Sequence, residues 1–170
     1  MAMDKFIVDA GPFIHLEQIG QIRLLKKLPS IIVPQSVVLE IKQGSIGSSL
    51  KTIENWANIK VISHNRKFPG TITAIIERAG IQQGEIDCIY IACENFPCIF
   101  LTDDLTARIT AEKLSIKVHG TVGIIAYAVR QKWLSIPKAE ESLNLLYHRS
   151  SLFITYAIIE SAIKRLKRIA

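Results

Sequence analysis

Five acidic residues carry the chemical content of this chain: Asp9, Glu40, Asp87, Asp103 and Asp104. Asp9 ends the apolar run Phe6-Ile7-Val8, and Asp103-Asp104 follow Cys98-Ile99-Phe100-Leu101-Thr102. Short runs rich in β-branched and aromatic residues read as strands buried on both faces, the parallel kind. In open parallel sheets, ligands sit outside the carboxyl ends of the strands. Two strands therefore deliver three carboxylates to the edge where such folds do chemistry. Like charges brought together repel, and burying them unpaired is costly. A divalent cation relieves that cost, and Mg²⁺ takes the oxygen ligands that Asp and Glu supply. With several carboxylates and no well-placed His, Lys or Cys nucleophile, the chemistry indicated is metal-assisted hydrolysis.

The elements that must position these acids alternate. Strands are expected at about residues 5–9, 30–33, 59–62, 98–102 and 117–118. Helices are expected at about 12–18, 20–28, 34–42, 48–57, 71–79, 83–95, 104–114, 121–132, 137–148 and 151–168. Gly44 and Gly47 mark a loop, and residues 63–70 form a polar one. The alternation predicts an α/β/α sandwich of three layers on a central parallel sheet of about five strands. The last three helices have no strand between them. A single domain is expected, with its core at about 1–133 and a helical extension at about 134–170.

Each acid also has a plainer reading. Glu40, in Val37-Val38-Leu39-Glu40-Ile41-Lys42, fits a solvated helix glutamate as well as an acid turned back toward the strand ends. Asp87 lies in Gly84-Glu85-Ile86-Asp87-Cys88-Ile89-Tyr90-Ile91-Ala92, where helical spacing sets it with Tyr90, Ile91 and Glu94. Glu85 points elsewhere, and both acids suit a helix N-terminus. One aspartate of Asp103-Asp104 suffices to cap the helix from Leu105, which leaves the second as a surplus. Arg108, one turn on, reads as a phosphate contact or a structural ion pair. Thr121 lines the pocket or caps the next helix.

Composition narrows the class. Lys and Arg number 21 against 15 Asp and Glu, a net charge of +6, and the pI is about 9.3. A basic surface around an acidic site suits a polyanionic substrate such as RNA. The basic tail Lys164-Arg165-Leu166-Lys167-Arg168 either complements the dipole of its helix or meets RNA. Cys88, Cys93 and Cys98 match neither a disulfide framework nor a zinc site, and His15, His64, His119 and His148 show no ligand spacing. No apolar stretch reaches the roughly 18 residues of a transmembrane helix, and no signal-peptide pattern precedes the first strand, so no membrane partner and a cytoplasmic location are expected. A glycine-rich dinucleotide turn is absent. A receiver-type phosphoacceptor expects its acidic pair after the first strand, and a haloacid-dehalogenase-type phosphatase expects a second aspartate at position 11, where Gly11 stands.

Taken in order, IVDAGPFIHL, IIVPQSVVLEI, GEIDCIYIA, FLTDDLTARITAEKLSIKVHGTVGII and the helical tail resemble the PIN-domain nucleases. They include the VapC-like toxin ribonucleases, and a prokaryotic PIN-like subgroup is the nearer match. The resemblance implies a PIN-like fold and an Mg²⁺- or Mn²⁺-dependent endoribonuclease acting on RNA phosphodiester bonds. It further implies the toxin half of a toxin–antitoxin pair, with a small antitoxin protein as partner; a homodimer is expected as well, since the apolar stripe Ile154, Ile158, Ala162 and Ile163 of the last helix either packs within the chain or forms a dimer or antitoxin interface. Asp9, Glu40, Asp87 and Asp104 match the family's catalytic acids and, with Asp103, its metal ligands. Glu85, Arg108 and Thr121 take supporting places. One departure is Gly11, where the family usually places Ser, Thr or Asn two residues after the first aspartate. A degenerate member that binds RNA or a protein without cleaving is the alternative.

Overall fold

The computed structural model describes residues 5–44, 50–63 and 68–168. Gly47, the start of the helix expected from 48, and residues 64–67 of the expected polar loop, His64 among them, lie outside the described residues. Among the described residues, five strands form one parallel sheet: β1 (Lys5–Val8), β2 (Ser30–Pro34), β3 (Ile59–Ile62), β4 (Ile99–Leu101) and β5 (Lys117–His119). Their order across the sheet is β3-β2-β1-β4-β5. The chain steps outward from β1 to β3, then crosses back to lay β4 on the other side of β1. The β1–β4 boundary is thus the point where the strand order reverses, and a crevice opens there at the carboxyl edge. β1 and β4 are four- and three-residue runs with Ile7, Val8 and Phe100 fully buried, as strands covered on both faces must be.

The helices are α1 (Ala10–Gln18), α2 (Arg23–Lys26), α3 (Gln35–Gln43), α4 (Gly70–Glu77), α5 (Gln83–Glu94), α6 (Leu105–Lys113), α7 (Thr121–Arg130), α8 (Ile136–Arg149) and α9 (Tyr156–Lys167). They cover the sheet on both sides, giving the expected α/β architecture. α5 packs against β1, β2 and β4 at once, which brings its N-terminal turn to the crevice. α8 and α9 pack on α7 as the helical extension. Buried Gln21 donates to Ser142 at 3.0 Å, and Gln18 accepts from the backbone of Ser151 at 2.8 Å, so α8 is tied to the region around α1 at its middle and just past its C-terminus.

Three expected helices differ. The stretch from 50 to 57 holds only a short 3₁₀ turn, Ile53–Asn55. Its sequence mixes β-branched Thr52 and Ile53 with Asn55 and Asn58, poor helix formers that bond locally instead; the Asn58 amide donates to the Leu25 and Leu28 carbonyls. The helix expected over 20–28 shortens to Arg23–Lys26. α9 begins at Tyr156 rather than 151. The preceding Ser151 is held by Gln18, and residues 151–155 form a linker that leaves Phe153 99% exposed.

Candidate active site

The register explains how the site assembles. Val8 pairs with Leu101, so Asp9 and Thr102 stand side by side one step beyond the last paired rung. The Asp9 N–H donates to the Leu101 carbonyl at 3.0 Å, and the Thr102 N–H to the His119 carbonyl at 3.0 Å. Asp9 also caps α1: its Oδ1 accepts from the Ala10 N–H at 2.8 Å. Its Oδ2 accepts from the hydroxyl of Thr102, a fully buried residue, at 2.9 Å. Thr102 in turn accepts from the Asp104 N–H at 3.2 Å. One threonine therefore links the first aspartate to the last.

Two acids reach the crevice from neighbouring helices. Burial raises the Asp9 pKa from 3.8 to about 7, against the pull of the two hydrogen bonds; the negative charges of Glu85 and Glu40 push it the same way. Burial likewise raises Glu40. Glu85 is raised by burial first, and then by the fields of Asp104 and Glu40. Asp9, Glu40, Glu85 and Asp104 are thus one electrostatic cluster at the carboxyl edge of the sheet. Gly84 makes room for it. A Cβ on Gly84 would lie 3.1 Å from Glu40 Oε2 and Val37 Cγ2, and 3.9 Å from Asp9 Oδ1. The missing side chain is what lets the first turn of α5 close on the acids.

Asp87, expected as the acid of α5, has both carboxylate oxygens engaged. Its carboxylate accepts from Ser36 Oγ at 2.6 Å and from Gln83 Nε2 at 2.7 Å, pinning α5 to α3. The face two residues back, carrying Glu85, is the one turned to Asp104 and Glu40. Glu85 keeps a second task, accepting from the Gln82 N–H at 2.7 Å in a capping box.

The Asp103-Asp104 pair divides its labour. Asp104 caps α6, with Oδ1 accepting from the Ala107 N–H at 2.7 Å. Asp103 turns the other way. Its Oδ1 accepts from the Thr121 N–H at 2.7 Å, and its Oδ2 from the Thr121 hydroxyl at 2.5 Å, anchoring the start of α7. The same Oδ2 meets His15 Nδ1 at 2.8 Å. Thr121 and Asp103 are thus a fastening between β4, α1 and α7. Arg108 donates to the Thr102 carbonyl at 3.3 Å, against the backbone of the site rather than its carboxylates. Gly120 lets this region close: a Cβ there would fall 2.7 Å from Asp103 Oδ1 and 2.9 Å from Arg108 Nη2. At Gly11, a Cβ would meet Asp103 Oδ2 at 3.5 Å and His15 Cε1 at 3.6 Å, so the Asp103–His15 pair stands where a polar side chain at 11 would point.

Thr102, Ser36, His15 and Gly84 are the positions that sequence reasoning passed over. Thr102 carried a readable signal, since it immediately precedes the aspartate pair. His15 and Ser36 carried none, because their partners are 88 and 51 residues away.

The arrangement is a pocket of oxygen donors with excess negative charge. Such a donor set fits a hard divalent cation, and carboxyls held above their ordinary pKa are the mark of charge awaiting compensation. It is an open set: among the described residues, no three His, Cys, Asp or Glu groups stand as a ready-made cage for one ion.

A family model described as a PIN domain matches residues 5–168. The chain belongs to the PIN-domain family. Its fold is therefore a nuclease fold, of a kind that typically uses divalent metals and meets nucleic acid. A search of curated proteins finds no match to this chain. Among the described residues, no helix is long and apolar enough to cross a membrane.

Proposed function

We propose that this PIN-domain chain is an Mg²⁺- or Mn²⁺-dependent endoribonuclease that hydrolyses RNA phosphodiester bonds. The observation that carries the reading is Asp9. It lies buried at the point where the strand order reverses, with its carboxyl raised to about 7 by burial and by Glu85 and Glu40. A fold does not retain four mutually repelling acids there for stability.

Asp9, Glu40, Glu85 and Asp104 would hold the cation, with Asp103 behind them as the brace of the pocket wall. Asp87 would join them as the further acid of α5, its angle set by the hydrogen bonds it accepts from Ser36 and Gln83. When bound, a divalent cation acidifies a water and offsets the charge gathering on the phosphate. Thr102 fixes the rotamer of Asp9 by donating to Oδ2, and so aims the remaining lone pairs into the crevice. Asp104 uses Oδ1 on the α6 cap, which leaves Oδ2 as the oxygen it would offer to the cation.

The toxin role, a small antitoxin partner, a homodimer and a cytoplasmic location are carried by family resemblance. They call for growth arrest on expression, relief by a small protein encoded beside the gene, and sedimentation of the purified chain. A second reading, an RNA- or protein-binding member that does not cut, draws on the lack of a ready-made three-ligand set among the described residues. One experiment separates the two. Single-stranded RNA is incubated with the protein and Mg²⁺ or Mn²⁺, with EDTA, and with Asp9→Asn. Cleavage that needs the metal and vanishes in Asp9→Asn supports the enzyme. No cleavage together with no calorimetric metal binding supports the binding-only reading, and cleavage that persists in EDTA or in Asp9→Asn overturns the assignment of the acidic site.

A further inference from the structure

Beyond the acidic pocket, on the far side of Asp103, lies a second feature. A cleft of about 460 Å³ opens between the β4–α6 turn and the α8–α9 linker, lined among others by Asp103, Leu105, Arg108 and Phe153. It shares His119, Val122, Gly123 and Ile158 with a groove of about 570 Å³ between α7 and α9, so the one runs into the other. That groove shares Ala157, Ser161 and Arg165 with a hollow lined by Lys164 and Arg168 at the far end of α9. A continuous trough thus runs from Asp103, the sequence neighbour of Asp104, to a basic patch.

We propose that this trough is the track for single-stranded RNA, with Phe153 as a base-stacking platform and Arg130, Arg165 and Arg168 as phosphate contacts. The assignment rests on the ribonuclease reading and names the substrate surface that the reading requires.

Three observations point to a nucleic-acid strand. The first is charge. The lining carries Arg108, Arg130, Lys164, Arg165 and Arg168 against two acids, Asp103 and Glu160. Asp103 has both oxygens engaged by Thr121 and His15. The field is felt inside: His119, where cleft and groove join, is lowered by burial first, then by Lys117, Arg108 and Arg130. The second is Phe153. Its ring is 99% exposed in a linker, and Leu105 beside the site is 67% exposed. The fold draws nothing from that ring, whereas an exposed aromatic next to cations is the usual platform for unpaired bases. The third is continuity. A strand whose phosphodiester sits at Asp9 and Asp104 must leave the pocket along some surface, and this trough begins one residue away, at Asp103.

The test measures binding and chemistry separately. Binding of a short labelled single-stranded RNA is followed by fluorescence anisotropy in EDTA, over a range of salt. Chemistry is followed as Mg²⁺-dependent hydrolysis of bis(4-nitrophenyl) phosphate, a diester too small to use the trough. Phe153→Ala should weaken RNA binding at least about five-fold, the low end of one lost base stack. Phe153→Trp should retain it. The Arg130→Ala, Arg165→Ala, Arg168→Ala triple variant should lower the slope of log affinity against log salt by about 2, at about 0.7 per phosphate contact. All three variants should hydrolyse the small diester at the wild-type rate. Every changed residue is exposed, so the fold is spared. Unchanged RNA affinity and slope would overturn the track. So would full rescue by Phe153→Leu, which marks an apolar protein contact, or loss of a dimer in Phe153→Ala on sedimentation, which marks a self-association face. Failure of the wild type to hydrolyse the small diester would instead count against the ribonuclease reading, and leave the binding result to decide the track.

Discussion

Replacing Asp9 by Asn should stabilise the metal-free protein, and by an amount that grows with pH. A carboxyl that moves from 3.8 unfolded to about 7 folded costs the ionised fold about 4 kcal/mol. The sign follows from proton uptake. Below pH 3.8 the carboxyl is protonated in both states and the penalty is absent. As pH rises, the unfolded chain gives up its proton first, so stability falls until about pH 7, where the folded carboxyl ionises as well. At pH 5 the penalty is about 2 kcal/mol, and by pH 8 it has reached about 4. Glu40 and Glu85, both raised by burial, add in the same direction. Asparagine removes the charge and keeps most of the contacts. Its Oδ1 still accepts from Ala10, and its amide donates to Thr102 Oγ1, whose other lone pair still receives the Asp104 N–H. The Thr102 hydroxyl then loses its acceptor, at about 1 kcal/mol. The net gain is therefore about 1 kcal/mol at pH 5 and about 3 kcal/mol at pH 8. For a chain of this size the larger figure is on the order of 10 °C in Tm. Thermal melts of both proteins in EDTA at pH 5 and pH 8 measure it. An Asp9→Asn advantage that is the same at both pH values, or a variant less stable than wild type at pH 8, would refute the argument. Added Mg²⁺ or Mn²⁺ at pH 8 should raise the wild-type Tm and leave Asp9→Asn nearly unmoved, because the cation stabilises only a fold that binds it.

Three further outcomes follow from the site. Glu85→Gln should lower metal affinity and RNA cleavage at least about ten-fold while keeping its capping box, whereas Asp87→Asn should lower calorimetric metal affinity by less, since both Asp87 oxygens already accept from Ser36 and Gln83. Gly84→Ala puts a methyl 3.1 Å from Glu40 Oε2; it should weaken metal binding while urea denaturation shifts by less than about 1 kcal/mol, the helix propensity gained offsetting the crowding. Asp103→Ala orphans the buried Thr121 N–H and the His15 imidazole and should cost about 2–4 kcal/mol in urea unfolding, with Asp103→Asn recovering part of that because its amide oxygen can still accept from Thr121.

What was legible in the sequence was whatever a strand writes locally. The runs before Asp9 and Asp103 are buried strands because their residues cannot face water on either side, and a strand buried that way must be parallel. Asp9 and the Asp103-Asp104 pair were readable for the same reason: each follows directly on such a run. The elements that failed were those decided by distant partners. Residues 151–155 have no periodicity that forbids a helix; they are held out of one by Gln18, 133 residues earlier. The Thr102 hydroxyl reads as the end of a strand until the register sets it beside Asp9.

The contrast between Glu85 and Asp87 shows where local reasoning stops. Helical spacing separates their faces correctly, because two residues turn a helix by about 200°. Spacing cannot say which face meets the pocket, since that depends on the rotation of α5 about its own axis. The rotation is fixed by contacts made elsewhere: Cys88, Ile89, Ile91 and Ala92 are fully buried beneath the sheet, and Ser36 on α3 receives Asp87. With those contacts made, Glu85 is left facing Asp104 and Glu40, and the capping-box bond to Gln82 holds it there. Gly84 completes the constraint, because any side chain at 84 would occupy the space between Glu40 and Asp9. The segment Gly84-Glu85-Ile86-Asp87 therefore carries one acid that feels Asp104 and Glu40 and one whose oxygens bond the helix–helix seam, and the glycine before them is what allows the first turn of α5 to close on the acids.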